Sequence, residues 1–179
     1  MILIAGGADS GKSSYAESRL SGFSGQPKIY IAVSKIYDEE MMQRVKIHQA
    51  VRKDKGFLTV EKTQDLGDIE IPLRADVMIE SLTAWAANEM FSDDGVKDSE
   101  FVITKILTDL RKLSLRAGNV VIVTDDIFSD GGGFDELTEQ YVKCLAELTV
   151  KISEMSFEVW ECCSGINICY KSKREENNL

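Results

Sequence analysis

The chain has 179 residues, of which 44% are hydrophobic and 28% are charged, a composition typical of a single globular domain covering residues 1–179. Its formal net charge of −9 argues against nucleic acid or an anionic membrane surface as a partner, because both would repel it. Apolar runs stay well short of the ~20 residues that a membrane-spanning helix needs, and the first residues lack the charged start of a signal peptide.

Short apolar runs alternate with amphipathic stretches along the first half of the chain. In chain order this pattern predicts a strand at 2–5, a helix at 12–20, a strand at 28–33, a helix at 38–52, a strand at 76–80 and a helix at 82–91. Segment 53–73 has the weakest periodicity, so we expect irregular structure or short edge strands there.

The same alternation continues through the second half. It predicts a loop at 92–95, a helix at 100–117, a strand at 119–124, a glycine loop at 131–133, a long helix at 134–155 and a strand at 157–162. Residues 166–170 would pair with that strand as a hairpin, and the polar tail 171–179 would fray. The alternation predicts an α/β fold with a mostly parallel sheet flanked by helices, to which the hairpin adds an antiparallel strand at the C-terminal edge.

One motif near the start of the chain binds phosphate in many proteins. The run Gly6-Gly7-Ala8-Asp9-Ser10-Gly11-Lys12-Ser13 matches G-x-x-x-x-G-K-[ST] at every fixed position. It follows a predicted strand and opens a predicted helix, and these flanks argue against a chance glycine-rich turn. Backbone N–H groups and the helix N-terminus would cradle phosphates, Lys12 would reach the β- and γ-phosphates, and Ser13 would offer a hydroxyl to Mg²⁺.

A P-loop of this kind needs a carboxylate near the metal, at the end of a neighbouring strand. Two candidates occur, Glu80 as the last residue of the third predicted strand and the pair Asp125-Asp126 after the fourth. Ligands of parallel sheets collect at the carboxyl ends of the strands, which favours both candidates over solvated strand ends. The sequence leaves open which of them serves the metal.

His48 is the single histidine of the chain. With Arg44 and Arg52 it recurs at a spacing of four residues, so one helical face would carry two guanidiniums and an imidazole suited to phosphate. A neutral imidazole can attack phosphorus and form a covalent phosphoramidate. The alternative is a surface histidine on a solvated charged face.

The four cysteines show no paired metal-ligand spacing. We interpret them as buried or partly buried thiols that stay reduced in a cytoplasmic protein. They are Cys144, Cys162, Cys163 and Cys169.

The sequence resembles the bifunctional adenosylcobinamide kinase / adenosylcobinamide-phosphate guanylyltransferase family of cobalamin biosynthesis. The similarity rests on residues 1–13 and 15–17, the run 30–34 with its small polar ending at Ser34, the segment 38–41 with Arg44, His48 and Arg52, the stretch Phe57, Thr59 and Glu61, and Glu80. The second half departs from the family pattern. Asp125-Asp126-Ile127-Phe128 stands where relatives carry Asn-Glu-Val-Gly, and Phe157 stands where Asp is usual.

The resemblance implies a P-loop NTPase-type, RecA-like fold and two activities. The kinase would phosphorylate adenosylcobinamide with ATP or GTP, and the guanylyltransferase would move GMP from GTP to adenosylcobinamide phosphate through His48, with Lys12 assisting. The implied nucleotide-binding residues are Gly6 to Ser13, Ser34, Gln49, Arg52, Glu61 and Glu80, and the implied Mg²⁺ ligands are Ser13 and Glu80. Family members form trimers, so the resemblance also implies a homo-oligomer.

Two other functions remain open, the second of them because of the altered second half. The first is a P-loop kinase that acts on another small hydroxyl substrate, with His48 merely structural. The second is a nucleotide-binding protein without catalytic activity.

Overall fold

A computed structural model describes residues 1–23, 27–35, 52–128 and 133–172, together with the single positions 39, 43 and 50. Its centre is a seven-stranded sheet. The strands are β1 Ile2–Gly6, β2 Lys28–Ala32, β3 Phe57–Glu61, β4 Asp76–Glu80, β7 Asn119–Asp125, β8 Glu158–Cys163 and β9 Ile166–Ser172. Their order across the sheet is β3-β2-β4-β7-β1-β8-β9. A small separate hairpin pairs β5 Phe91–Ser92 with β6 Gly95–Val96.

The sheet is parallel except at its C-terminal edge. β1, β2, β3, β4, β7 and β8 all pair in parallel, whereas β9 runs antiparallel to β8. Ser164 and Gly165 join these last two strands with positive φ angles of 49° and 80°, which suits a tight hairpin. The predicted α/β fold, its mostly parallel sheet and the antiparallel edge strand are therefore confirmed.

Four α-helices flank the sheet within the described residues. They are α1 Lys12–Ser21, α2 Leu82–Met90, α3 Ser99–Arg116 and α4 Glu136–Met155. Side-chain caps begin three of them: Ser81, Asp98 and Asp135 each accept a hydrogen bond from a backbone N–H in the first turn and so satisfy donors that lack a partner within the helix. The prediction that the last helix begins at residue 134 was wrong, because Asp135 is its N-cap.

The two faces of the sheet are covered unequally. Leu3 points into the larger core cluster, in which buried residues such as Trp85, Leu110 and Leu148 from α2, α3 and α4 pack. Ile2 and Ile4 point into the smaller cluster, where Ala16 and Leu20 of α1, among others, pack on them. This alternation along β1 follows from the two-residue period of a strand, and it leaves α1 lying against the strands that surround the glycine-rich loop.

Segment 53–73, expected to be irregular or to contain edge strands, provides edge strand β3 and a single 3₁₀ turn at Leu66–Asp68. The loop predicted at 92–95 is instead the turn of the small β5–β6 hairpin. Most of the helix predicted at 38–52 lies outside the described residues, as does the glycine loop up to residue 132.

The structure describes all four cysteines, and each of them is a free thiol. Cys144 and Cys162 are buried as expected, but Cys163 and Cys169 are exposed, because they lie at the end of β8 and in the exposed part of edge strand β9. Among the helices that the structure describes, none is both long enough and apolar enough to cross a membrane.

Candidate nucleotide site

The glycine-rich motif forms the turn between β1 and α1 at the carboxyl edge of the sheet. A Cβ atom on Gly6 would lie 2.5 Å from Ser10 Oγ and 2.6 Å from the backbone oxygen of Cys162, so only glycine fits there. Gly11 adopts φ +90° as the N-cap of α1 and provides no side-chain cap. The loop is therefore tightly turned, and the N–H groups of the first helical turn stay available to an anion.

Lys12 begins α1 and turns its ammonium group back toward the loop. Its Nζ donates to the backbone oxygen of Gly7 at 3.0 Å and lies 3.0 Å from Asp125 Oδ1. Lys12 is 9% exposed, so this charge is largely shielded from water. The pairing of β1 with β7 places Gly6 opposite Asp125, which explains why a residue more than a hundred positions away reaches the P-loop lysine.

Ser13 makes a different contact. Its hydroxyl donates a hydrogen bond to Glu80 Oε1, and Tyr30 Oη donates to Glu80 Oε2 at 3.0 Å. Burial, and then the charge of Glu80, raises the pKa of Tyr30, so the phenol remains a donor at neutral pH. Glu80 thus sits beside the P-loop serine, whereas Asp125 sits beside the P-loop lysine.

A hydroxyl and a carboxylate in contact are oxygen ligands of the kind that Mg²⁺ prefers. Ser13 and Glu80 therefore fit a metal ion at the phosphate end of the loop. Ser10 adds a second indication, since its Oγ is buried in the same loop without a hydrogen-bond partner among the described residues, as expected of a polar atom at a ligand site.

Arg52 also belongs to this site. Its guanidinium lies 3.5 Å from the centre of the Tyr30 ring, with Nη2 3.6 Å from Glu80 Oε2 and Nε 3.4 Å from Glu17 Oε1. Lys55 also pairs with Glu17. Sequence reasoning missed Tyr30 and Glu17 as members of the site. The spacing of Glu17, four residues after Ser13 on the same side of α1, was the signal that could have indicated it.

The other predicted site residues lie as follows. Ser34 is exposed just beyond β2, and Glu61 is exposed at the end of β3. Glu61 and Glu80 both stand opposite Ala32 in the sheet, which brings them to the same edge as the P-loop. Two predicted residues, His48 and Gln49, lie outside the described residues.

A second group of carboxylates occurs away from the P-loop. Ligand oxygens of Asp65, Glu89 and Asp109 lie within 4.8 Å of one another, a spacing that could hold a cation. Lys105 Nζ fills this position, at 2.7 Å from Asp65, 2.6 Å from Asp109 and 3.8 Å from Glu89. We refer to these four residues as the Lys105 cluster and interpret it as structural.

Comparison with known proteins identifies similar sequences. The family described as cobinamide kinase / cobinamide phosphate guanyltransferase matches residues 2–170. A relative called bifunctional adenosylcobalamin biosynthesis protein CobU, from Escherichia coli strain K12, is 30% identical over 183 residues, which cover 96% of this chain and 99% of the relative. The protein of the same name from Salmonella typhimurium is 29% identical over 184 residues, with the same coverage. A solved structure, the flagellar accessory protein FlaH from Methanocaldococcus jannaschii, matches with a TM-score of 0.48 and 14% identity over 96% of this chain and 77% of that chain.

Proposed function

Because the chain belongs to the cobinamide kinase / cobinamide phosphate guanyltransferase family, we propose that it phosphorylates adenosylcobinamide and then transfers GMP to the product. The nucleotides are ATP or GTP in the first reaction and GTP in the second. The observation that carries this proposal is the P-loop, whose Ser13 contacts Glu80 and whose Lys12 contacts Asp125. Such a loop binds the phosphates of a nucleotide.

In the kinase step, the hydroxyl oxygen of the aminopropanol arm of adenosylcobinamide attacks the γ-phosphorus. The bond from that phosphorus to its bridging oxygen breaks, the nucleoside diphosphate leaves with the electron pair, and the hydroxyl proton passes to solvent. Lys12 and the N–H groups of the loop stabilise the charge on the phosphate oxygens. Ser13 and Glu80 would hold Mg²⁺, which would supply positive charge to offset that of the phosphates.

In the transfer step, we propose His48 as the nucleophile. A lone pair of its imidazole attacks the α-phosphorus of GTP, the bond to the bridging oxygen breaks, and pyrophosphate leaves with the electron pair. A phosphate oxygen of adenosylcobinamide phosphate then attacks the same phosphorus, the P–N bond breaks, and its electron pair returns to the imidazole. Dividing the transfer into two displacements is the advantage of a covalent intermediate. Ser34, Gln49, Arg52 and Glu61 are proposed to line the nucleotide.

The transfer step can be tested by incubation with GTP labelled at the α-phosphate. We expect an acid-labile label on the wild-type protein and at least a ~100-fold loss of label in His48→Ala, because the attacking nitrogen is gone. The same variant should bind GTP within about 3-fold of wild type, because the P-loop is untouched. A His48→Ala protein that labels as strongly as wild type would exclude this residue as the nucleophile.

The kinase step is tested separately with γ-labelled ATP and adenosylcobinamide. We expect the labelled phosphate to pass from ATP to cobinamide, and to stay on ATP when no acceptor is added. Stimulation by another alcohol, with no response to cobinamide, would point to a different kinase. Tight GTP binding without turnover of any acceptor would point to a nucleotide-binding protein without catalytic activity.

We further propose a homo-oligomer, a trimer, that acts in the cytoplasm. The free state of all four thiols supports a reducing compartment. β9 supports self-association, because Ile166 and Tyr170 on this edge strand are each 67% exposed and an exposed apolar edge favours pairing. Light scattering coupled to gel filtration should give three times the chain mass of 20.0 kDa, and a monomer would contradict the proposal.

A further inference from the structure

The P-loop lysine has a carboxylate partner within the protein itself. Lys12 Nζ lies 3.0 Å from Asp125 Oδ1, at the group that must reach the phosphates of a bound nucleotide. We propose that Asp125 makes the site selective for the metal-bound form of a nucleoside triphosphate over the metal-free form. The proposal rests on the proposed nucleotide binding and goes beyond it, because it assigns a specificity role to a residue that the two reactions do not use.

The backbone holds Asp125 firmly in this position. It is the last residue of β7 and stands opposite Gly6 in the sheet, while its own N–H donates to Thr83 Oγ1 at 3.0 Å. The next N–H, that of Asp126, donates to the backbone oxygen of Gly6 at 3.0 Å. Asp125 is thus fixed relative to both the P-loop and α2, and its carboxylate stays near the phosphate position.

The two carboxylates of the site differ in what they face. Glu80 accepts from Ser13 on the side where a metal would bind, whereas Asp125 pairs with Lys12 on the side where the phosphates would lie. The side chain of Asp125 is 36% exposed, against 11% for Lys12. When a phosphate replaces Asp125 as the partner of Lys12, water can therefore solvate the Asp125 carboxylate. The exchange leaves no buried charge without a partner.

The negative charge of Asp125 near the phosphates is the basis of the selectivity between metal-bound and metal-free triphosphate. A metal-free triphosphate carries more negative charge than its magnesium complex, so Asp125 repels the free form more strongly. The metal-free triphosphate must also displace Asp125 from Lys12 without a bound cation to offset its negative charge. Removing the carboxylate should therefore help the metal-free ligand more than the metal complex.

The test is equilibrium binding of GTP to the full chain, measured once with excess Mg²⁺ and once with a chelator. For Asp125→Asn we expect metal-free GTP to bind about 10-fold more tightly, because its additional negative charge no longer faces a carboxylate. Binding with Mg²⁺ should change by less than about 3-fold. Asp125→Ser is the second variant, and melting curves establish that both variants fold.

Asp94→Asn is the matched control, because it removes one negative charge at an exposed turn between β5 and β6. It should leave both affinities unchanged. Weaker binding of the magnesium complex by Asp125→Asn would overturn the proposal and make Asp125 a metal ligand. An equal gain for both ligand forms would also overturn it, since that is a general charge effect. Wild-type protein that binds neither form would overturn the proposed function as well, whereas binding without His48 labelling would leave this inference standing.

Discussion

Lys105 and Lys12 both pair with carboxylates, but the number of their partners differs. Lys105 lies between the carboxylates of Asp65, Glu89 and Asp109, whereas Lys12 has Asp125 and one backbone oxygen, that of Gly7. The first group is complete without a ligand. The second is partly satisfied and can exchange its partners for phosphate oxygens. The number of partners thus distinguishes the two lysines. Lys12 can still bind a ligand, whereas Lys105 stabilises the fold.

The surroundings of Lys105 reinforce its structural role. Glu89 also accepts hydrogen bonds from Trp85 Nε1 and from the backbone N–H of Asp65, each at 3.1 Å. Burial acts to lower the pKa of Lys105, but its hydrogen bonds to Asp109 and Asp65 outweigh that effect and raise the pKa. The cluster thereby ties α2, α3 and the turn around residue 65 together on the side of the sheet with the larger core.

The largest expected effect comes from Lys12→Met, which breaks the binding group. Lys12 would donate two charge-assisted hydrogen bonds to phosphates, worth about 1.5–3 kcal/mol each. Affinity for a triphosphate should therefore fall by roughly 10²- to 10⁴-fold, measured by calorimetry or competition with a fluorescent nucleotide. Chemical denaturation should show a change in the free energy of unfolding that is smaller than the change in the free energy of binding. Unchanged nucleotide affinity would contradict the assignment of Lys12 as a phosphate-binding residue.

An intermediate effect should follow from Lys105→Met, which breaks the structural group. Removing the cation leaves Glu89 and Asp109 buried without it. We expect a loss of about 2–3 kcal/mol in the free energy of unfolding, below the range for fully buried pairs because Lys105 is partly exposed. The melting temperature should fall by roughly 4–12 °C, while nucleotide affinity stays within about 2-fold. A variant as stable as wild type would show that the cluster is dispensable.

The smallest effect concerns pH and sharpens the same contrast. The hydrogen bond from Lys105 lowers the pKa of Asp65. The stabilisation from Asp65 is therefore present above its unfolded pKa of about 3.9 and is lost as pH falls through the lowered folded value. Lys105 has a raised pKa, so its contribution is complete below about pH 10.4 and is lost as pH rises through the folded value.

Denaturation of wild type and Lys105→Met across this pH range measures the effect. The stability difference between them should be nearly constant from about pH 5 to 9 and should shrink below about pH 4. A difference that persists unchanged at acid pH would show that packing of the Lys105 stem, and not its charge, provides the stabilisation.

Local features of the site could be predicted from the sequence, whereas its pairings could not. The P-loop is a contiguous motif between a strand and a helix, and Glu80 ends an apolar run, so a one-dimensional pattern is enough to find both. The division of roles between Glu80 and Asp125 depends on which strands flank β1. That order brings β7 beside β1 and β4 beside β7, which is a property of the folded sheet.

The misplaced elements have similar physical reasons. Phe134 is apolar and extends the helical pattern backwards, but the cap at Asp135 binds the N–H groups of Leu137 and Thr138 and so decides where α4 begins. The β5–β6 hairpin has only two residues in each strand, too few for any alternation to be visible in the sequence.

The P-loop is a run of consecutive residues, yet part of its support comes from the far end of the chain. The backbone oxygen of Cys162 closes the space beside Gly6, and the N–H of Gly165 lies 3.4 Å from the backbone oxygen of Ser10. Part of the packing around the loop is therefore present only when the C-terminal hairpin has joined the sheet. Because this hairpin follows the P-loop in the chain, the loop would reach its full packing only after the hairpin has been synthesised, and nucleotide binding would respond to whether the hairpin is in place.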